Sequence, residues 1–65
     1  MGDIGVQIKN ARVQMKMTQT ELAKQIGKSP QFICDIEAGR KLPSISTLSM
    51  LAKILKLSLD KIFLN

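Results

Sequence analysis

The sequence predicts a compact all-α domain of five short helices, and three observations lead there. Apolar residues recur at three- and four-residue spacings, Ser or Thr stands before several of these runs as an N-cap, and no stretch alternates as a half-buried strand does. Ile4, Ile8, Ala11 and Met15 share one face of a first helix over roughly 4–15, with Gly5 weakening its start. A second helix over about 19–26 begins at Thr18, and Glu21 three residues later completes a capping box. Leu22, Ala23 and Ile26 point inward, and Gly27 can take the left-handed conformation that ends the helix. Ser29 caps a third helix over about 30–38, with Pro30 at its first position, where the missing N–H costs nothing. Ile33 and Ile36 face the core and Gly39 closes the helix. Two short helices around so tight a turn must cross steeply, which frees one face of the second to enter a groove. Gly39 to Pro43 is a basic loop, and Pro43 discourages helix at Leu42. Ser44 caps a fourth helix over about 45–55 with Leu48, Leu51, Ala52 and Leu55 inward. Ser58 caps a short fifth over about 59–63, with Asp60 near its positive end.

Composition narrows the function. The 65 residues make one domain, 1–65, with the helix–turn–helix pair at about 18–38. A chain of this length buries only about 60% of its unfolded surface, so its core needs good packing or a partner subunit. One cysteine excludes an intrachain disulfide, and the absence of histidine and of clustered thiols excludes a zinc staple. Ten Lys and Arg against five Asp and Glu give a net charge of +5, which favours a polyanionic partner, nucleic acid first. No segment approaches the ~18–20 apolar residues of a membrane span, and no secretory signal opens the chain. With a free thiol and four methionines, the expectation is a cytoplasmic protein that meets no membrane. The lack of His, of Tyr and of a glycine-rich phosphate loop argues against an enzyme, and no cofactor or small-molecule site is expected.

These elements carry a resemblance. Ile8-Lys9-Asn10-Ala11-Arg12, Thr18 to Ala23, Phe32 to Gly39, Pro43 and the Leu48-to-Leu55 helix stand in the order and spacing of one family. Over about residues 4–63 the chain resembles the Cro and phage-repressor helix-turn-helix domains, also called the xenobiotic-response-element family, with a lambda-repressor-like fold. The resemblance implies a sequence-specific DNA-binding transcriptional regulator, usually a repressor acting as a dimer on a palindromic operator. The alternative is a protein-interaction module, antitoxin-like or a bridging factor, that keeps the fold.

Several residues then take expected roles. The third helix resembles a recognition helix whose outward set is Pro30, Gln31, Cys34 and Asp35. Gln31 is the best base reader, since an amide pairs bidentately with adenine N6 and N7. Asp35 either accepts from cytosine N4 or pairs within the protein, for instance with a lysine. Cys34 matches a position where the family favours small residues that let the helix approach DNA; it serves equally as a half-buried filler. Pro30 departs from the glutamine of phage repressors and removes one base contact. Phe32 is read mostly as packing between helices. Gln19 matches a glutamine that, in similar chains, holds a phosphate and braces the recognition helix, and helix N-termini suit phosphate. Ser29 and Lys28 at the turn, and Arg40 and Lys41 in the following loop, are the expected backbone contacts. Arg12 and Glu37 match the family's structural ion pair; a glutamate ending a helix needs a cation, and arginine binds a carboxylate with two parallel bonds. The apolar surplus of Leu59, Ile62, Phe63 and Leu64 points to a dimer interface.

Overall fold

A computed structural model of the chain describes residues 4–57, and within them the chain is all helix and turn. The helices are α1 (Ile4–Gln14), α2 (Gln19–Gln25), α3 (Pro30–Glu37) and α4 (Ile45–Leu55). The expected fifth helix at 59–63 and the expected dimer contacts Leu59, Ile62, Phe63 and Leu64 lie outside the described residues.

The starts of α2, α3 and α4 follow from their caps. Thr18 accepts from the Glu21 N–H at 3.0 Å while the Glu21 carboxylate accepts from the Thr18 N–H at 2.8 Å, a complete capping box. The Ser29 hydroxyl accepts from the Phe32 N–H, and that of Ser44 from the Thr47 N–H, both at 3.2 Å. Pro30 opens α3, where no N–H is needed.

The ends of α2 and α3 share one device. Gly27 (φ +69°) and Gly39 (φ +82°) are left-handed. Behind each, the following N–H reaches back to the third-last helical carbonyl: Lys28 to Ala23 at 2.9 Å, and Arg40 to Asp35 at 2.8 Å. The end of α1 uses the same bonds, Met17 N–H to Arg12 carbonyl at 3.1 Å, but with Lys16 (φ +59°) in the left-handed position. Lys56 (φ +58°) does so after α4.

The core consists of Ile8, Leu22, Ala23, Ile26, Ile33, Ile36, Leu48, Leu51 and Leu55, with Met17, Phe32, Ile54 and Leu57 packed against it. Met15 is a correction. The helical spacing assigns it to the core face, but α1 ends at Gln14 and Met15 is 40% exposed. The left-handed turn at Lys16 reverses the chain, and Met17 takes the place against the core instead. Gly5 is buried where α1 crosses the end of α3: a Cβ there would lie 2.8 Å from the Glu37 carbonyl oxygen and closer still to that of Ile36. The sequence suggested only a weak helix start at this position; its lack of a side chain is what lets the two backbones meet.

Candidate nucleic-acid interface

The site is built outward from a buried ion pair. Arg12, on α1, donates Nε to Glu37 Oε2 at 2.7 Å and Nη2 to Oε1 at 3.1 Å, two parallel bonds to one carboxylate. Its Nη1 donates to the Met17 carbonyl at 2.7 Å. The Gln19 amide donates to Glu37 Oε1 at 3.0 Å. One carboxylate at the end of α3 therefore ties down α1 and the first residue of α2. The side chains are 11% and 4% exposed, and the hydrogen bond to Glu37 raises the Arg12 pKa against the opposing effect of burial. Among the described residues no buried side-chain nitrogen or oxygen lacks a partner.

This scaffold fixes α3 with Ile33 and Ile36 inward and Pro30 and Gln31 exposed. Cys34 and Asp35 are partly covered. Asp35 takes an intraprotein partner, though not a lysine: its Oδ1 accepts from Gln31 Nε2 at 2.9 Å, one turn back on the same helix, and from Arg40 Nε at 2.9 Å. Arg40 Nη2 also reaches Cys34 Sγ at 3.4 Å. The backbone return that closes α3 brings Arg40 here, since its N–H is already bonded to the Asp35 carbonyl. The hydrogen bond from Gln31, then that from Arg40, hold the Asp35 carboxyl below its ordinary value, so the network is charged at neutral pH.

The basic flanks converge on one ring. The ammonium groups of Lys28, in the turn before α3, and Lys41, in the loop after it, lie 5.2 and 5.0 Å from the centre of the Phe32 ring. Phe32 packs against the core, as the sequence suggests, and also gathers two cations beside the first turn of α3. Lys9, Gln19, Cys34, Glu37 and Ala38 line an open cleft of about 200 Å³ where α1, α2 and α3 meet. No motif signals the meeting of Lys28 and Lys41 at Phe32, because they are thirteen positions apart in sequence. Leu42 and Ile45 escaped the sequence reading as surface features; they are 80% and 68% exposed.

A capped helix, a left-handed glycine turn and a second capped helix with a polar outer edge define a helix–turn–helix. The chain belongs to the helix-turn-helix family of the Cro/C1 type, whose family model matches residues 8–62. The family and fold are those of DNA-binding regulators rather than of enzymes. The ImmF control region 10 kDa protein of Bacillus phage phi105 is 44% identical over 57 residues, 88% of this chain and 63% of that protein. Multiprotein-bridging factor 1 of Candida albicans is 39% identical over 56 residues, 86% of this chain and 37% of that protein. The chain thus spans less than two thirds of these curated relatives. Among solved structures, the biofilm master regulator SinR in complex with DNA matches with a TM-score of 0.81 at 28% identity, covering 91% of this chain and 95% of that one. Among the described residues, no helix is long and apolar enough to cross a membrane.

Proposed function

We propose that this chain is a sequence-specific DNA-binding transcriptional regulator that acts as a homodimer on a palindromic operator and represses by occupying it. The observation that carries this reading is the outer edge of α3. Gln31, Asp35 and Arg40 form one polar network there, flanked by Lys28 and Lys41, while Ile33 and Ile36 are buried behind it. Such a helix can lie in the major groove, with Gln31 reading a base edge and the flanking cations on phosphates. Ser29 keeps its hydroxyl hydrogen for a phosphate after accepting from Phe32. Gln19 braces Glu37 with one amide N–H and offers the other to a phosphate beside Lys9. The family match, the phage control-region relative and the DNA-bound SinR structure support the reading. We read residues 1–65 as one domain that needs no cofactor and works in the cytoplasm.

Selection of bound duplexes from a random pool tests the proposal. Enrichment of a two-fold symmetric sequence is the expected result; no enrichment overturns it. A second reading, a protein-interaction module on the same fold, draws on the similarity to a bridging factor and on the exposed Leu42 and Ile45. It predicts no enriched sequence and a partner whose binding is insensitive to salt.

A further inference from the structure

We infer that Asp35 makes Gln31 selective for adenine over guanine by occupying one of its two amide hydrogens. The inference rests on the DNA-binding reading above and adds a positioning residue to it. The argument is one of donor and acceptor supply. A carboxylate only accepts, so the amide nitrogen of Gln31 must face Asp35, as it does at 2.9 Å. That leaves Gln31 with one N–H and one carbonyl oxygen. Adenine presents an acceptor, N7, beside a donor, N6–H, which this remainder matches. Guanine presents two acceptors, N7 and O6, and satisfying both needs two donors. A free glutamine can turn both hydrogens toward guanine; a glutamine tied to Asp35 cannot, and its carbonyl oxygen would then face O6 without a hydrogen between them.

Arg40 completes the device. Its Nε donates to the same Oδ1 at 2.9 Å, and its Nη2 reaches Cys34 Sγ at 3.4 Å. The guanidinium holds the carboxylate in place from the side opposite in sequence, five residues beyond Asp35, while Gln31 lies four residues before it. Both donors converge on Oδ1, which fixes that oxygen toward Gln31 and leaves Oδ2 outside the lock. A carboxylate on a surface that faces phosphates is also less repelled when an arginine neutralises it.

The test uses the parent chain and three variants on labelled duplexes of the selected operator, carrying each of the four bases in turn at the position where Gln31→Ala flattens the preference. Asp35→Ala lowers the adenine-over-guanine preference at that position by about fivefold or more, the scale of a lost bidentate discrimination, and leaves other positions unchanged. Asp35→Asn, whose carbonyl oxygen can still accept from Gln31 and Arg40, keeps the preference within about twofold of the parent. An unchanged preference in Asp35→Ala overturns the inference, as does an equal loss in Asp35→Ala and Asp35→Asn, which would make charge rather than the hydrogen-bonded lock responsible. A Gln31→Ala variant that flattens no position overturns it too. A parent chain that enriches no duplex removes the DNA-binding reading itself, and the two failures are therefore distinguishable.

Discussion

Arg12 uses three of its nitrogens on partners in two different segments, and removing one partner strands a charge in a nearly closed site. Loss of one member of a buried pair costs about 3–5 kcal/mol, a large part of what a small domain has. Glu37→Ala should therefore lower the thermal midpoint sharply, and Glu37→Gln, which still accepts from Arg12, should lower it less. Equal, small shifts in thermal denaturation would contradict this account of the pair. The pair was legible because a glutamate ending a helix and an arginine on the first helix fit a known arrangement. The additional bonds to the Met17 carbonyl and from Gln19 were not, since nothing in the spacing places residue 17 beside Arg12. Asp35 shows the same limit. That it needs a partner follows from its charge, but that the partners are Gln31 and Arg40 depends on the backbone return after Gly39.

At the scale of the elements, the caps were the most legible feature because each is local. Thr18 with Glu21, Ser29 with Pro30, and Ser44 begin α2, α3 and α4 where the sequence places them. The end of α1 was less legible. The apolar spacing runs on to Met15, whereas the helix stops at Gln14 through a left-handed lysine, a residue type that gives no such signal. A non-glycine residue in this conformation is strained by roughly 1 kcal/mol. Lys16→Gly should therefore stabilise the fold by up to about 0.5 kcal/mol, because the greater freedom of glycine in the unfolded chain offsets most of the strain relieved. A lower denaturation midpoint in this variant would show that Lys16 is not strained. Gly5 is the opposite case. Helix propensity alone predicts that Gly5→Ala stabilises α1 by about 0.5–1 kcal/mol, but the added methyl meets the Ile36 and Glu37 carbonyl oxygens. Because those atoms are backbone, α1 must shift, and overpacking of this kind costs about 1–3 kcal/mol. We expect destabilisation in chemical denaturation; stabilisation would mean that α1 and α3 do not approach so closely. No single-helix argument finds this contact, which exists only once α1 lies across the end of α3.

For the whole molecule, the proposed dimer must place two copies of α3 on one face of DNA. Half-sites one helical turn apart place them about 34 Å from each other, and the described chain extends 28 Å in its longest direction. Two copies side by side fit that spacing, and a two-fold contact between them must be self-complementary. The proposed contact is the apolar C-terminal stretch of Leu59, Ile62, Phe63 and Leu64. Leu64→Glu should weaken self-association in sedimentation and reduce cooperative binding to a symmetric operator. Unchanged sedimentation and cooperativity would place the interface elsewhere, with exposed Val6, Val13, Met15, Leu42, Ile45 and Met50 as the large apolar side chains on the surface of the described residues. The all-α class and the family were legible from ordered motifs over most of the chain, and the family model covers residues 8–62. The proposed assembly rests in the sequence only on a surplus of apolar residues, and such a surplus says that something covers it and not what.

The central claim is that α3 reads duplex DNA while the surrounding cations hold its backbone. Its most direct measurement is the affinity of the parent chain for the selected operator and for a scrambled duplex across a salt series. Roughly four to eight phosphate contacts per dimer predict a log–log slope of about −4 to −7 on the operator. The operator should also bind more tightly than the scrambled duplex at every salt concentration. Binding that ignores salt, or that treats the two duplexes alike, would contradict the account.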